Sequence, residues 1–108
     1  MIIKRYEVYY ANLNPTIGSE IKKIRPVVVI SKTEMNKYLD TVVICPATTK
    51  LHPGWRSRVP CIIDNKEAEI AVDQIRTVSK KRIMNLIDTL SSTVNTQIRN
   101  LITEMYGE

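Results

Sequence analysis

Apolar positions fall into two regimes along the chain. Up to about residue 78 they form short runs rich in β-branched side chains and separated by turn formers, which is the pattern of strands. Tyr6 to Leu13 alternates imperfectly and reads as a first strand. Pro26 has no N–H to give a ladder, so it belongs at a strand start and opens a second strand through Val27, Val28, Val29 and Ile30. The helix formers from Lys32 to Tyr38, after Ser31, predict one short helical turn. Thr41 to Cys45 predicts a third strand that Pro46 stops, and Thr48 to Arg58 reads as a loop. Val59 to Ile63 resumes strand character, with Pro60 marking an edge or a bulge. Asp64-Asn65-Lys66 is a turn, and Glu69 to Asp73 and Ile75 to Val78 finish the sheet.

Past Val78 the period lengthens. Ser79 is an N-cap candidate, and Ile83, Leu86, Ile87 and Leu90 recur at i, i+3, i+4 and i+7, so a helix is predicted there. Ser91 or Ser92 caps a last helix whose apolar face is Val94, Ile98, Leu101, Ile102 and Met105. Strands first and helices mostly last exclude an alternating βαβ plan and favour an α+β fold.

The 108 residues predict one domain, 1–108. That size holds a core, and burying a face against a second subunit would add stability. Sixteen Lys+Arg against eleven Asp+Glu give a formal +5, compatible with a polyanionic partner without establishing one. Cys45 and Cys61 lie in apolar, strand-like surroundings at no zinc-binding spacing, so a pair of small buried thiols and no metal site is expected. No apolar run approaches the ~20 residues that span a bilayer and the N-terminus lacks a signal pattern, so the expected location is the cytoplasm, away from membranes.

The densest chemistry lies in Asn14-Pro15-Thr16-Ile17-Gly18-Ser19-Glu20, followed by Arg25-Pro26. Turn formers and polar side chains there end in an arginine that the following proline holds rigid at a strand start, an arrangement suited to phosphate chemistry. Together with Pro46-Ala47-Thr48-Thr49 and Asp73-Gln74-Ile75-Arg76-Thr77, in that order, this segment resembles the MazF/PemK family of bacterial toxins from about Arg5 to Leu90. The resemblance implies a small, strongly bent, SH3-like antiparallel sheet or half-barrel with a C-terminal helix. It also implies a cofactor-free, metal-independent, sequence-specific endoribonuclease acting on single-stranded RNA, usually mRNA. Further implications are a homodimer and a cognate antitoxin laid over the RNA groove.

RNA supplies its own nucleophile, so such an enzyme must align the 2′-hydroxyl, stabilise charge on the phosphoryl oxygens and protonate the departing 5′-oxygen. The products implied are a 2′,3′-cyclic phosphate and a 5′-hydroxyl. Arg25 carries a planar fork of donors that suits phosphate, and its very high pKa assigns it to charge stabilisation first. Thr48 stands where relatives keep a catalytic threonine; its hydroxyl can orient the 2′-hydroxyl or bind a phosphoryl oxygen. On residue type alone the favoured reading of Thr48 is a strand end bonded to nearby backbone, and the motif is what assigns it to the reaction. Glu20 and Asp73 are the acid/base candidates, with His52 ranked below them. In some relatives the aspartate matching Asp73 pairs with an arginine two residues earlier, but here that position is Ala71.

Ser19, Lys22, Lys23, Thr49 and Lys50 are candidate phosphate contacts, and Gln74 and Arg76 candidate readers of base edges or backbone. The usual family form has glycines where Lys22 and Lys23 stand. Trp55 reads either as a stacking platform for an unpaired base or as an anchor for its loop or a subunit contact. Two readings from other classes stand beside the nuclease. One is a gyrase-binding toxin of the CcdB type, and the other an RNA-binding relative without activity.

Overall fold

Val27, Val28 and Val29 are all fully buried, which requires a strand covered on both faces. In the computed structural model, which describes residues 2–14 and 23–107, these valines belong to strand β2 (Ile24–Val29). It pairs with β1 (Glu7–Asn12) on one side and β3 (Thr41–Thr48) on the other. Beyond β3 come β5 (Lys66–Ala71) and β4 (Arg58–Ile63), and beyond β1 comes β7 (Ile83–Thr89). Short β6 (Arg76–Ser79) also pairs with β3, and every pairing is antiparallel. Helix α1 (Thr33–Tyr38) links β2 to β3, and helix α2 (Ser92–Tyr106) ends the chain.

β3 bends the sheet. Its residues 41–44 pair with β6 and its residues 47–48 with β5, so one strand serves two partners and the sheet curls into a half-barrel. The expectation that Pro46 would stop this strand is corrected. Pro46 falls between the last residue paired with β6 and the first paired with β5, where its missing N–H interrupts neither ladder, and the strand runs on to Thr48. Pro60 lies on β4, the outer strand of the sheet, as an edge reading of the sequence requires. The β4–β5 turn places Asp64 and Asn65 at φ +51° and +63°, a two-residue hairpin connection that short polar side chains tolerate.

Residues on opposite faces feed two apolar clusters. Val8, Val28, Cys45, Ala47 and Ile70 pack with Ile98 and Leu101 of α2. Tyr9, Val27, Val29, Ile44, Val78 and Ile83 form the other. The Ser91 hydroxyl accepts from the Val94 N–H and caps α2.

The helix expected over residues 79–90 is also corrected. Ser79 does cap, but it caps only a 3-10 turn (Lys80–Arg82), its hydroxyl accepting from the Lys81 N–H. The chain then extends as β7 against β1 with two register shifts: Val8 faces Asp88, Tyr9 faces Leu86 and Ala11 faces Ile83. Extra residues on β7 break the two-residue alternation, so its apolar positions take on helix-like spacing. The apparent amphipathic face does not exist: Ile83 and Leu90 are buried while Leu86 is half exposed.

Candidate active site

The site forms where β2, β3, β5 and β4 lie in succession. Val27 faces Pro46 at the end of the β2–β3 ladder, and Arg25 and Thr48 each lie two residues beyond it in the same direction. Thr48 in turn faces Glu69 on β5. Arg58, at the start of β4, faces Ala71, two residues from Glu69 on the same face of β5. Alternation carries Ala47, Ala68 and Ile70 into the apolar cluster under α2 and turns Thr48 and Glu69 the other way.

Arg25 and Thr48 line one pocket of about 170 Å³, together with Thr49, Tyr10, Pro26 and Lys66. Arg25 is half-buried on β2, opposite Ala11, so its backbone is fixed by the ladder where the residue lines the cavity. The Thr48 hydroxyl oxygen accepts from the Lys50 N–H at 3.1 Å. That bond orients the oxygen and leaves the hydroxyl proton able to donate to a bound group.

Thr48 also lines a second pocket, of about 320 Å³, with Lys50, His52, Trp55, Arg58, Asp73 and Gln74. Its wall is built on the Arg58 guanidinium, whose Nε donates to Asp73 at 2.9 Å and whose terminal nitrogen donates to Glu69 at 3.1 Å. Both Arg58 and Glu69 are almost fully buried, and Asp73 is partly open. The same Glu69 oxygen accepts from the His52 backbone N–H at 3.0 Å. The His52 ring stacks on Trp55 at 3.8 Å, and Arg58 lies over the Trp55 ring at 4.9 Å. Arg58 faces Ala71 across the β4–β5 ladder, and Asp73 follows two residues later on the 3-10 turn (Val72–Gln74). Tyr106 of α2 pins that turn from outside by donating its hydroxyl to the Val72 carbonyl.

The neck of the first loop is closed by paired backbone. Leu13 N–H donates to the Lys23 carbonyl, and Lys23 N–H donates to the Asn14 side chain. Arg82 donates to the carbonyls of Asn12 and Asn14, tying the neck to the start of β7. Lys23 sits at φ +69°, a left-handed conformation that favours glycine. Ser19, Glu20 and Lys22 lie outside the described residues. Lys23 is exposed and Arg76 stands on β6 opposite Ile44; neither lines the two pockets.

Sequence reasoning missed Glu69 and placed Arg58 only as the last residue of a loop. The one available signal was the empty guanidinium position at Ala71, which the ladder supplies from the facing strand. Both thiols have ionisation pushed upward chiefly by burial, Cys45 to about 12 and Cys61 to about 11, so neither is a nucleophile near neutrality. Among the described residues no group of three or more His, Cys, Asp or Glu is placed to hold a metal ion, and no helix is long and apolar enough to cross a membrane.

Comparison with known proteins bears on the whole of this arrangement. A curated Staphylococcus epidermidis protein named Endoribonuclease MazF is 31% identical over 94% of this chain and 88% of its own length. The crystal structure of MazF from Deinococcus radiodurans matches 100% of this chain and 99% of its own with a TM-score of 0.88 at 18% identity, a likeness of fold. A mycobacterial endoribonuclease in complex with its cognate antitoxin covers 97% of this chain and 95% of its own at a TM-score of 0.80 and 17% identity. The family described as PemK-like, MazF-like toxin of type II toxin-antitoxin system matches residues 4–106, and the chain belongs to that family.

Proposed function

We propose that the protein is the toxin of a toxin-antitoxin pair and cleaves single-stranded RNA at a phosphodiester seated between Arg25 and Thr48. The observation that carries this reading is the convergence of those two side chains, from neighbouring strands, on one pocket. In the reaction the 2′-hydroxyl gives up its proton as its oxygen attacks phosphorus. The bond to the 5′-oxygen breaks and that oxygen takes up a proton, leaving a 2′,3′-cyclic phosphate and a 5′-hydroxyl. Arg25 neutralises charge that grows on the phosphoryl oxygens, where a fixed guanidinium is worth most. Thr48, its oxygen held by the Lys50 N–H, donates to the 2′-hydroxyl or to a phosphoryl oxygen and keeps the attack in line. Thr49 and Lys50 contact flanking phosphates, and Gln74, which lines the second pocket, reads a base. Asp73 remains an acid/base candidate, held against Arg58.

The chain acts as a homodimer in the cytoplasm, and its antitoxin lays an acidic segment over the same basic groove, so RNA and inhibitor compete. A solved MazE-MazF complex and a mycobacterial endoribonuclease solved with its cognate antitoxin support the antitoxin as a partner. Incubating the purified protein with synthetic single-stranded RNA in EDTA tests the reading. Cleavage supports it; intact RNA together with gyrase inhibition supports a CcdB-type toxin, and bound but uncut RNA an inactive relative.

A further inference from the structure

We infer that Arg58 is the positioning residue of the second pocket: one guanidinium fastens the 49–57 loop and the Asp73–Gln74 turn into a single wall against which RNA binds. This inference rests on the proposed nuclease function and deepens it.

Three pieces of chain meet at Arg58. Glu69 comes from β5, opposite Thr48; Asp73 comes from the 3-10 turn; and Trp55 comes from the loop. Glu69 reaches back to the loop through the His52 N–H, and His52 stacks on Trp55. The loop has other ties. The Ser57 carbonyl accepts from the Val72 N–H, which continues the β4–β5 ladder and joins the last loop residue to the start of the same turn. That bond does not reach His52 or Trp55. The Arg56–Glu104 pair lies on the surface with 87% and 54% of the side chains exposed, where an ion pair contributes little. The Arg58 cluster is the reverse case, because its guanidinium and the Glu69 carboxylate are 6% and 5% exposed. Removing the fork there leaves a buried carboxylate unpaired, and the loop and turn must separate to hydrate it.

The arrangement serves binding more than the chemical step. Arg58 lines the second pocket and not the one that Arg25 and Thr48 share. Its loss would therefore misplace Lys50, His52 and Asp73 while leaving Arg25 on β2.

Trp55 is the only tryptophan and His52 the only histidine, so emission from the stacked pair reports the wall directly. The test compares wild type with Arg58→Gln and Arg58→Lys, using an oligoribonucleotide that brackets the mapped cut site, and records Trp55 emission and steady-state kinetics. Arg58→Gln should red-shift the emission and raise KM about tenfold with kcat down less than threefold. Arg58→Lys, which keeps the charge but loses the fork, should lie between. If Arg58→Gln does not fold by circular dichroism, Glu69→Gln weakens the same link at its β5 end and should move emission and KM in the same direction. A kcat lowered a hundredfold at unchanged KM would overturn the inference, as would wild-type KM beside a shifted emission. Wild type that leaves RNA intact would sink the nuclease reading and this inference with it; a cleaving wild type beside a variant of unaltered KM would sink the inference alone.

Discussion

Thr48 and Glu69 face each other across the β3–β5 ladder, so the hydroxyl assigned to the reaction adjoins a buried carboxylate held by Arg58. Thr48 thereby joins two pockets. Arg25 approaches it from β2 on one side, and the wall of loop and turn rises on the other. Phosphate chemistry and base contact can then share one strand end, and the ladder fixes the spacing between them.

Thr48 tests the division of labour. If its hydroxyl acts by donating a hydrogen bond, Thr48→Ala should lower kcat about 10²-fold with little change in KM, and Thr48→Ser should recover most of the loss. Single-turnover cleavage of a labelled oligoribonucleotide measures both. Equal activity of the alanine and wild-type proteins would leave Thr48 as a strand end only.

Lys23 should show stability and binding moving in opposite directions. Its φ of +69° suits glycine, so Lys23→Gly should raise folding stability by up to about 1 kcal/mol in urea titration. The same change removes a cation from the neck of the first loop, so RNA affinity should fall and the slope of log affinity against log salt should drop by about one. An unchanged slope would show that Lys23 faces away from RNA.

Alkaline pH should unfold the protein through its buried thiols and Tyr9. Burial raises the ionisation of Cys45 from 9.0 to about 12 and of Cys61 to about 11; burial and the Glu7 carboxylate, which accepts from the Tyr9 hydroxyl, raise Tyr9 as well. These groups stay protonated in the fold but ionise in the unfolded chain above about pH 9, so their contribution is full below that pH and lost as pH climbs through the folded values. Between about pH 9 and 11 each thiol should cost about 1.4 kcal/mol per pH unit, and Tyr9 adds its share only above about pH 10. Denaturant titrations at stepped pH check this, and Cys45→Ala should flatten the decline; a level profile would contradict it.

Much of the fold was legible because its signals are local. Pro60 announced an edge, Asp64-Asn65 a hairpin turn, and Ser91 the start of α2. The misread parts depended on partners distant in sequence. Pro46 is tolerated because β3 changes neighbours around it, and β7 passed for a helix because its bulges against β1 spaced Ile83, Leu86 and Leu90 helically. The site divides the same way. Arg25 and Thr48 stand in recognisable motifs, whereas Arg58 reaches Asp73 only through a ladder that sets it opposite Ala71, a relationship no spacing along the chain encodes.

The most direct measurement is end analysis of RNA cut in EDTA by wild type and by Arg25→Ala, with folding and dimer state checked alongside. The account predicts 2′,3′-cyclic phosphate and 5′-hydroxyl ends from wild type, and a rate at least about 10²-fold lower from a folded, dimeric Arg25→Ala. Near-normal turnover by that variant, or 5′-phosphate ends from wild type, would contradict it.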